Sequence, residues 1–338
     1  MLNRFKKTVA IASLAAMSAG SVFASDEEFT FKIVSTAGDA DSPQGKSITM
    51  WAERMSELSD GRITGQTFFQ GELGGQQEVY DQMLRGNVDM LLEVPQTSYD
   101  ERIGVMNLPY LVSTWEEANE AFSEGGWIEE IVNPLLADTG VKWFGAYPEG
   151  FGGVATAGGY ATNYEDAKNL NMKVRAQTFF PIPQTINAMG FQAVPIDWNE
   201  VYTSIQTGVV SGDSGNVIYW DYEYFGDVLD YFVATQHRFN FSGVMMSNEV
   251  WNSLDMEDQA IVSQAAQEVI DKQFAEARAE DEKWIKTAQE NGMEYIVPTD
   301  EEIGSWAKVV REQVWGEAEA VITTEIMDKV RASAPAFE

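Results

Sequence analysis

Three predicted strands and two predicted helices alternate near the start of the chain, and this order limits the possible folds more than any other feature. The segments are Phe29–Ser35, Pro43–Ser59, Arg62–Phe69, Gln76–Arg85 and Val88–Glu93. The helical segments repeat apolar residues every three or four positions, whereas the strands are short, apolar and bounded by turn residues. A βαβαβ order within about 65 residues predicts parallel strands joined by right-handed helical crossovers.

The rest of the chain indicates a second α/β unit followed by long helices. Residues 147–240 again show short strand and helix patterns, with Lys173–Arg175 on a strand. Asp255 is placed to cap a long helix that ends at Asn291-Gly292, and Asp300 begins another helix. We therefore predict an α/β protein of two lobes with mixed sheets, strands that cross between the lobes, and long C-terminal helices.

The first residues are typical of a secretory signal peptide. Three basic residues lie in positions 4–7, an apolar run covers residues 9–20, and Val22-Phe23-Ala24 precedes Ser25. The apolar run is shorter than the roughly 20 residues that span a bilayer. A buried first helix is the alternative interpretation. We predict that residues 1–24 are the signal peptide and that the protein is located in the periplasm.

The composition argues against several classes of function. The chain has 53 acidic and 22 basic residues, a net charge of −31, and this balance disfavours nucleic acid as a partner. It has no Cys and one His, so thiol nucleophiles and the usual zinc sites are excluded, and we expect no metal and no cofactor. His237 is interpreted as a packed structural residue. A hydrolase built on carboxylates stays an alternative, but no spacing marks an acid pair, so we expect no enzyme activity.

Seven short segments, taken in order, resemble one known family. They are Gly71–Val79 (GELGGQQEV), Gly86–Met90 (GNVDM), Asn107–Leu111 (NLPYL), Asn169–Arg175 (NLNMKVR), Ala193–Ile196 (AVPI), Glu200–Val210 (EVYTSIQTGVV) and Ser247–Trp251 (SNEVW). Together they resemble the DctP-type solute-binding subunits of the tripartite ATP-independent periplasmic (TRAP) transporters. The resemblance extends over nearly the whole chain that follows the predicted signal peptide.

This resemblance implies a two-lobe periplasmic-binding-protein-like fold that closes around one ligand and then docks on membrane permease subunits. Lobe I is expected to comprise residues 26–149 with about 241–280, and lobe II residues 150–240 with about 281–338. A monomer is the expected state. The binding protein of an ATP-driven importer, or a chemoreceptor-linked sensor, is the alternative, because such proteins share the general architecture.

Two residues are the principal ligand-binding candidates. Arg175 follows an apolar strand, and its planar guanidinium suits bidentate binding of a carboxylate. The resemblance implies that it is the family's carboxylate-binding arginine, although a surface salt bridge is the alternative in so acidic a chain. Trp198 matches a position that places an aromatic ring on the ligand. An ordinary core tryptophan is the alternative there.

The segment from Ser211 to Asn216 departs from the family pattern. Gly215 stands where the family has a ligand-contacting side chain, Asn216 follows it, and Tyr219 lies a few residues on. We expect the missing side chain to open space, and the aromatic residues to favour a ligand with an apolar or quaternary-ammonium portion. Ser214 replaces an acid, which weakens the metal-assisted binding used by some members.

Three further residues, Thr36, Glu93 and Phe151, match other cleft positions. An acid at position 93 opposite Arg175 would suit a ligand that bears both charges, although Val94 is an alternative occupant of that position. The second arginine of sugar-acid-binding members is absent from the Gly150-Phe-Gly-Gly stretch. Sialic-acid-like and dicarboxylate ligands are therefore disfavoured. The predicted ligand is a small carboxylate or sulfonate, with ectoine- or betaine-like zwitterions among the candidates.

Overall fold

A computed structural model describes residues 27–336 of the chain. The predicted signal peptide, residues 1–24, lies outside the described residues. Among the helices of residues 27–336, none is both long enough and apolar enough to cross a membrane.

The described residues form strands and helices in alternation, with short 3₁₀ helices at Glu101–Asn107 and Trp198–Glu200. The strands are β1 (Phe29–Val34), β2 (Ile63–Phe68), β3 (Met90–Glu93), β4 (Val141–Phe151), β5 (Val154–Thr156), β6 (Lys173–Ala176), β7 (Gln192–Pro195), β8 (Gly212–Ser214), β9 (Tyr231–Val233), β10 (Phe239–Ser247) and β11 (Glu294–Ile296). The helices are α1 (Pro43–Leu58), α2 (Gln76–Leu84), α3 (Trp115–Phe122), α4 (Trp127–Asp138), α5 (Tyr164–Leu170), α6 (Ile182–Ala188), α7 (Val201–Gln206), α8 (Ile218–Phe225), α9 (Asn248–Ser253), α10 (Met256–Glu290), α11 (Asp300–Ile322) and α12 (Thr324–Ser333).

The first lobe is built on a five-stranded mixed sheet with the order β2-β1-β3-β10-β4. Strand β1 is parallel to both β2 and β3, which confirms the prediction from the βαβαβ pattern. The later strand β10 inserts antiparallel between β3 and β4 and makes the sheet mixed. Alternate residues of these strands, such as Ile33 and Met90, are fully buried against α1 and α10. Burial of this face stabilises the lobe by the hydrophobic effect.

The second lobe combines a four-stranded sheet, β11-β9-β5-β8, with the parallel pair β6-β7. Helix α6 is short, because it begins after Pro181 and ends before the left-handed turn at Gly190. The predicted strand at Lys173–Arg175 is present as β6. The carboxyl end of β6 therefore presents Arg175 and the residues after it toward the first lobe.

The chain crosses between the sheets at two adjacent places. Only residues 152–153 separate β4 from β5, and residues 234–238 connect β9 to β10. The Gly152 amide donates to the Arg238 carbonyl at 2.9 Å, so the two crossings are bonded to each other. Strands that cross between the lobes are thus present, as predicted, and the second crossing brings His237 and Arg238 to the boundary between the lobes.

Helix α10 also joins the two lobes. It has 35 residues, a length of about 52 Å, and contacts β4 on one side and α8 and β11 on the other. Its amino end is capped as predicted, because the Asp255 side chain accepts from the amides of Glu257 and Asp258. Helix α11 places Trp306 in the core of the second lobe and Trp315 in that of the first. The predicted lobe boundaries stay a prediction.

Candidate functional site

A cavity lies between the two lobes, close to the crossings. The first lobe contributes Gln44, Glu93, Glu149 and Asn240, and the second contributes Gln177, Trp198, Asn216 and Trp220. The enclosed space is about 30 Å³, enough for one or two water molecules. A larger ligand must therefore displace side chains of this wall when it enters.

Glu93 lies at the end of β3 and is 3% exposed. One carboxylate oxygen accepts from the amide and hydroxyl of Thr36, and the other from Gln76 Nε2 and the Val94 amide, both at 2.9 Å. Burial raises the pKa of Glu93. The structure thus places Glu93 in the cavity wall with Val94 beside it, and Thr36 reaches the site through Glu93.

Glu149, which the sequence analysis missed, forms a second buried carboxylate centre on β4. Its oxygens accept from Gln44 Nε2 and Trp220 Nε1 at 2.8 Å, Ser242 Oγ at 2.9 Å and Asn240 Nδ2 at 3.1 Å. Burial raises the pKa of Glu149, and these donors oppose the rise. A carboxylate offers about four acceptor positions. Glu149, like Glu93, is therefore hydrogen-bonded to near capacity by the chain itself.

Arg175 is 1% exposed, at the end of β6. Its Nε donates to the Ile196 carbonyl at 2.9 Å, and its Nη1 lies 3.2 Å from Oδ1 of Asp213, which is 0% exposed. Its guanidinium carbon is 6.0 Å from the centre of the Trp198 ring. The alternative of a surface salt bridge is wrong, because both members of this ion pair are buried.

A second acid, Asp221, lies close to this ion pair. Asn216 Nδ2 donates both to Asp213 and, at 3.3 Å, to Asp221. Burial and the negative charge of Asp213 raise the pKa of Asp221 well above its usual range. Burial also raises the pKa of Asp213, but the charge of Arg175 opposes that rise. We therefore assign the proton of this acid pair to Asp221 and the charge to Asp213.

Arg238, at the crossing before β10, is also 1% exposed. Its Nη1 donates to Gln177 Oε1, and its guanidinium carbon lies 5.7 Å from the centre of the Phe179 ring. Its Nε and Nη2 have no hydrogen-bond partner among residues 27–336. Burial lowers the pKa of Arg238 to about 10, so the side chain stays positively charged at neutral pH. The sequence analysis missed Arg238, although a basic residue at the junction of two apolar strands could have pointed to it.

His237 and Gly215 lie next to this guanidinium. Burial and the charge of Arg238 lower the pKa of His237 to about 3, and its Nδ1 is hydrogen-bonded to the Thr235 hydroxyl at 2.6 Å. Gly215 has a φ of +89°, and a Cβ on it would lie 3.7 Å from Arg238 Nη1 and 3.9 Å from His237 Nε2. A side chain at position 215 would thus be in ordinary van der Waals contact with Nη1 of Arg238. His237 is a packed neutral residue, as its isolation in the sequence indicated.

The predicted aromatic residues fall into different places. Trp198 lines the cavity and packs against Trp220 edge to face, with 5.7 Å between ring centres. Tyr219 lines an adjoining cavity rather than this one. Phe151 is packed against Trp115 and the core of the first lobe, away from the cavity. The structure therefore brings Glu93, Trp198 and Asn216 to the cavity wall and Arg175 directly behind it.

An outer groove adjoins the cavity region. Its wall contains Asp39, Asp41, Glu223 and Glu280, together with Lys46, Lys283 and the rings of Tyr219, Tyr224 and Trp284. Because its acids outnumber its two lysines, it is named the acidic groove below. Within residues 27–336, acids and histidine form no cluster of three or more with the arrangement of a metal site.

The family model described as "Bacterial extracellular solute-binding protein, family 7" matches residues 34–319. The chain belongs to this family. Two relatives of this family 7 protein are binding proteins for related solutes. The ectoine-binding periplasmic protein TeaA of Halomonas elongata is 27% identical over 243 residues, which cover 71% of this chain and 68% of the relative. The ectoine/5-hydroxyectoine-binding periplasmic protein UehA of Ruegeria pomeroyi is 25% identical over 303 residues, 86% and 88% of the two chains.

A solved structure supports the fold of this family 7 protein. The TRAP periplasmic solute-binding protein of Sulfurospirillum deleyianum, solved with bound succinate, has a TM-score of 0.82 and 21% identity. The match covers 91% of this chain and 99% of that one. The prediction of a TRAP solute-binding protein with the two-lobe fold is therefore confirmed.

Family membership also fixes the class of activity. TRAP solute-binding proteins bind small organic anions and work with a membrane permease, and theirs is a family of transport proteins rather than of enzymes. Because the relatives are periplasmic proteins, the same location is implied for this chain. The alternative of an ATP-driven importer receives no support from these matches.

Proposed function

We propose that this protein is the periplasmic receptor of a TRAP transporter, and that it captures a small organic carboxylate between its lobes for delivery to the permease subunits. The observation that carries the proposal is the interlobe cavity with the buried guanidinium groups of Arg175 and Arg238 directly behind its wall. A buried cation is costly unless an anion pairs with it. A ligand carboxylate supplies such an anion.

The polar groups of the wall narrow the class of ligand. Asn240 lines the cavity, and its buried Oδ1 atom has no hydrogen-bond partner among residues 27–336. An amide oxygen is an acceptor, so it favours a ligand with an O–H or N–H group. The rings of Trp198 and Trp220 offer apolar surface beside it. We infer a compact carboxylate that carries hydrogen-bond donors, such as a hydroxy acid or a cyclic amino acid of the ectoine type.

The two glutamates disfavour a ligand that depends on a direct ion pair with Glu93. Each carboxylate already accepts four hydrogen bonds from the chain, so a ligand cation would have to displace one of those donors. A second ligand carboxylate is disfavoured too, because Arg175 already has Asp213. Ectoine stays in the class because its N–H groups are donors, and the relatives TeaA and UehA support it.

A thermal-shift screen tests this function. The probes are galactonate, pantoate, ectoine, succinate and the sulfonate taurine, each compared with a neutral amide analogue of similar size. At 100 times its Kd, a bound acid stabilises the folded protein by about 2.7 kcal/mol, which appears as a rise in Tm. We expect carboxylates with O–H or N–H groups to give the largest rises. If none of the acids raises Tm above its amide analogue, carboxylate binding is refuted.

Delivery to the permease is tested with proteoliposomes that contain the membrane permease subunits of a TRAP transporter from the same organism. Uptake of the bound acid is expected to require this protein and an ion gradient, and to proceed without ATP. Uptake that depends on ATP, or that is equal without the protein, would refute the transport proposal.

A further inference from the structure

The two buried arginines differ in their surroundings, and this difference separates their roles. We propose that the ligand carboxylate is held by Nε and Nη2 of Arg238, at the crossing before β10, while Arg175 is committed to Asp213. The inference rests on the proposed function and adds the residue that fixes the acid group. It also moves the principal anion contact away from the arginine that the sequence favoured.

The first argument is the hydrogen-bonding capacity of Arg238. Its Nε–H and one Nη2–H point the same way along one edge of the planar guanidinium, the geometry that matches two carboxylate oxygens. Both nitrogens lack a partner among residues 27–336, and Nη1 is held by Gln177. The same chain shows what this edge does with a carboxylate: Nε and Nη2 of Arg54 contact the two oxygens of Glu268 at 2.5 and 3.0 Å.

Arg175 has no such edge available. Its Nε donates to the Ile196 carbonyl, and its Nη1 is paired with Asp213. Asp213 is in turn held by Asn216. A ligand acid at Arg175 would have to compete with this buried carboxylate, which is already in place.

The second argument is the connection between Arg238 and the cavity. A Cβ at Gly215 would lie 3.7 Å from Arg238 Nη1 and 3.9 Å from His237 Nε2, so the glycine keeps side-chain atoms away from the Nη1 side of the guanidinium, where Gln177 is bound. Gln177 both lines the cavity and accepts from Arg238, so movement of this side chain connects the guanidinium with the cavity.

Calorimetry on three methionine variants tests the inference. The probe is whichever of galactonate, pantoate, ectoine or succinate binds the wild type most tightly. We expect Arg238→Met to weaken binding at least 100-fold, and Arg175→Met at most about 10-fold. Arg62→Met is the matched control. Arg62 lies away from the cavity and forms an ion pair with buried Asp258, with 2.8 Å between Nη2 and Oδ1, so its removal is expected to change the Kd by less than 2-fold.

Two further variants separate charge from geometry and folding. Arg238→Lys keeps the positive charge but removes the two parallel N–H donors of the guanidinium, so we expect at least a 10-fold loss of affinity. The thermal unfolding of unliganded Arg238→Met is expected to match or exceed that of the wild type, because a buried charge without a hydrogen-bonded counter-ion is removed. For the amide analogue of the probe, the Kd values of the wild type and Arg238→Met are expected to differ by less than 10-fold.

The outcomes are distinguishable. If Arg238→Met binds within 3-fold of the wild type, or if Arg175→Met and Arg238→Met both lose 100-fold, the proposed division between the arginines is overturned. If the wild type binds none of the probes, the proposed function fails instead, before any variant is measured.

Discussion

Arg175 and Arg238 are equally buried, yet they stand in opposite electrostatic surroundings. Arg175 lies 3.2 Å from the ionised Asp213. Among residues 27–336, Arg238 has the amide of Gln177, the face of Phe179 and the more distant charges of Glu149 and Arg175, but no ion pair. Burial and residue type are therefore poor guides to role by themselves. The number of donors that the chain leaves unpaired separates an arginine that supports the fold from one that is available to a ligand.

The comparison also predicts opposite effects on stability and on binding. Removing one member of a buried ion pair leaves a buried charge behind, which destabilises the fold. Removing a buried cation that lacks a hydrogen-bonded counter-ion relieves a desolvation cost. The variants below test whether one arginine mainly affects the stability of the fold and the other mainly affects ligand affinity.

The largest expected effect is on folding. Arg175→Met leaves Asp213 buried without its cation, and we expect the free energy of unfolding to fall by about 3–5 kcal/mol. Urea denaturation at pH 7 measures this loss. The double variant Arg175→Met with Asp213→Asn removes both charges and should recover most of it. A loss below about 1 kcal/mol in the single variant would contradict the buried ion pair.

The next effect concerns the crossing and its dependence on pH. The pKa of His237 is about 3 in the folded protein, against an ordinary value of 6.5. The unfolded chain therefore takes up a proton below pH 6.5 that the folded protein does not, and stability is lost as the pH falls. The contribution is about 1.4 kcal/mol per pH unit, or about 3 kcal/mol between pH 6.5 and pH 4.

His237→Gln removes this contribution. The free energy of unfolding of both proteins is measured by urea denaturation between pH 7 and pH 4. As the pH is lowered, the wild type is expected to lose more of this free energy than the variant. Parallel curves for the two proteins would indicate that His237 is protonated in the folded state.

A smaller effect, on ligand affinity, is expected when the acids opposite Arg175 are removed, so that Arg175, like Arg238, has no ion-pair partner. In the double variant Asp213→Asn with Asp221→Asn, no ionised acid remains opposite Arg175. Both substitutions are needed, because loss of the Asp213 charge would lower the pKa of Asp221 and allow it to ionise instead. We expect carboxylate affinity to rise about 10-fold, or about 1.4 kcal/mol. Calorimetry with the wild-type probe measures the rise, and unchanged affinity would show that Arg175 does not contact the ligand even when free.

The smallest effect is a local one. Burial lowers the pKa of His237 most, and the positive charge of Arg238 lowers it further, so Arg238→Met should raise that pKa while Arg175→Met should not. The chain has one histidine, so its imidazole can be titrated by NMR without ambiguity. Equal shifts in the two variants would place His237 no nearer to Arg238 than to Arg175.

Much of the fold could be predicted from local patterns. Helix α1 matched its predicted segment to within one residue, because its apolar spacing and the turn after it are local signals. The cap at Asp255 is an equally local signal, and it is present. The parallel direction of β1, β2 and β3 followed from the helical crossovers between them.

The electrostatics of the site could not be predicted in this way. The sequence indicated Arg175, but its pairing with Asp213 joins residues 38 positions apart, and the contact of Arg238 with Gln177 joins residues 61 positions apart. Which buried arginine keeps free donors depends on these distant contacts. The absence of an arginine from the Gly150-Phe-Gly-Gly stretch disfavoured some ligands, yet Arg238 lies on the neighbouring crossing, bonded to Gly152 through its carbonyl.

The acidic groove has a consequence for the speed of binding. An anion that approaches a chain of net charge −31 past Asp39, Asp41 and Glu223 is repelled before it reaches any arginine. Salt shortens the range of this repulsion from about 30 Å at 0.01 M to about 8 Å at 0.15 M. Association with a carboxylate is therefore expected to quicken as salt rises, the reverse of the usual steering of charged partners. Such a receptor would scavenge acids fastest in saline water.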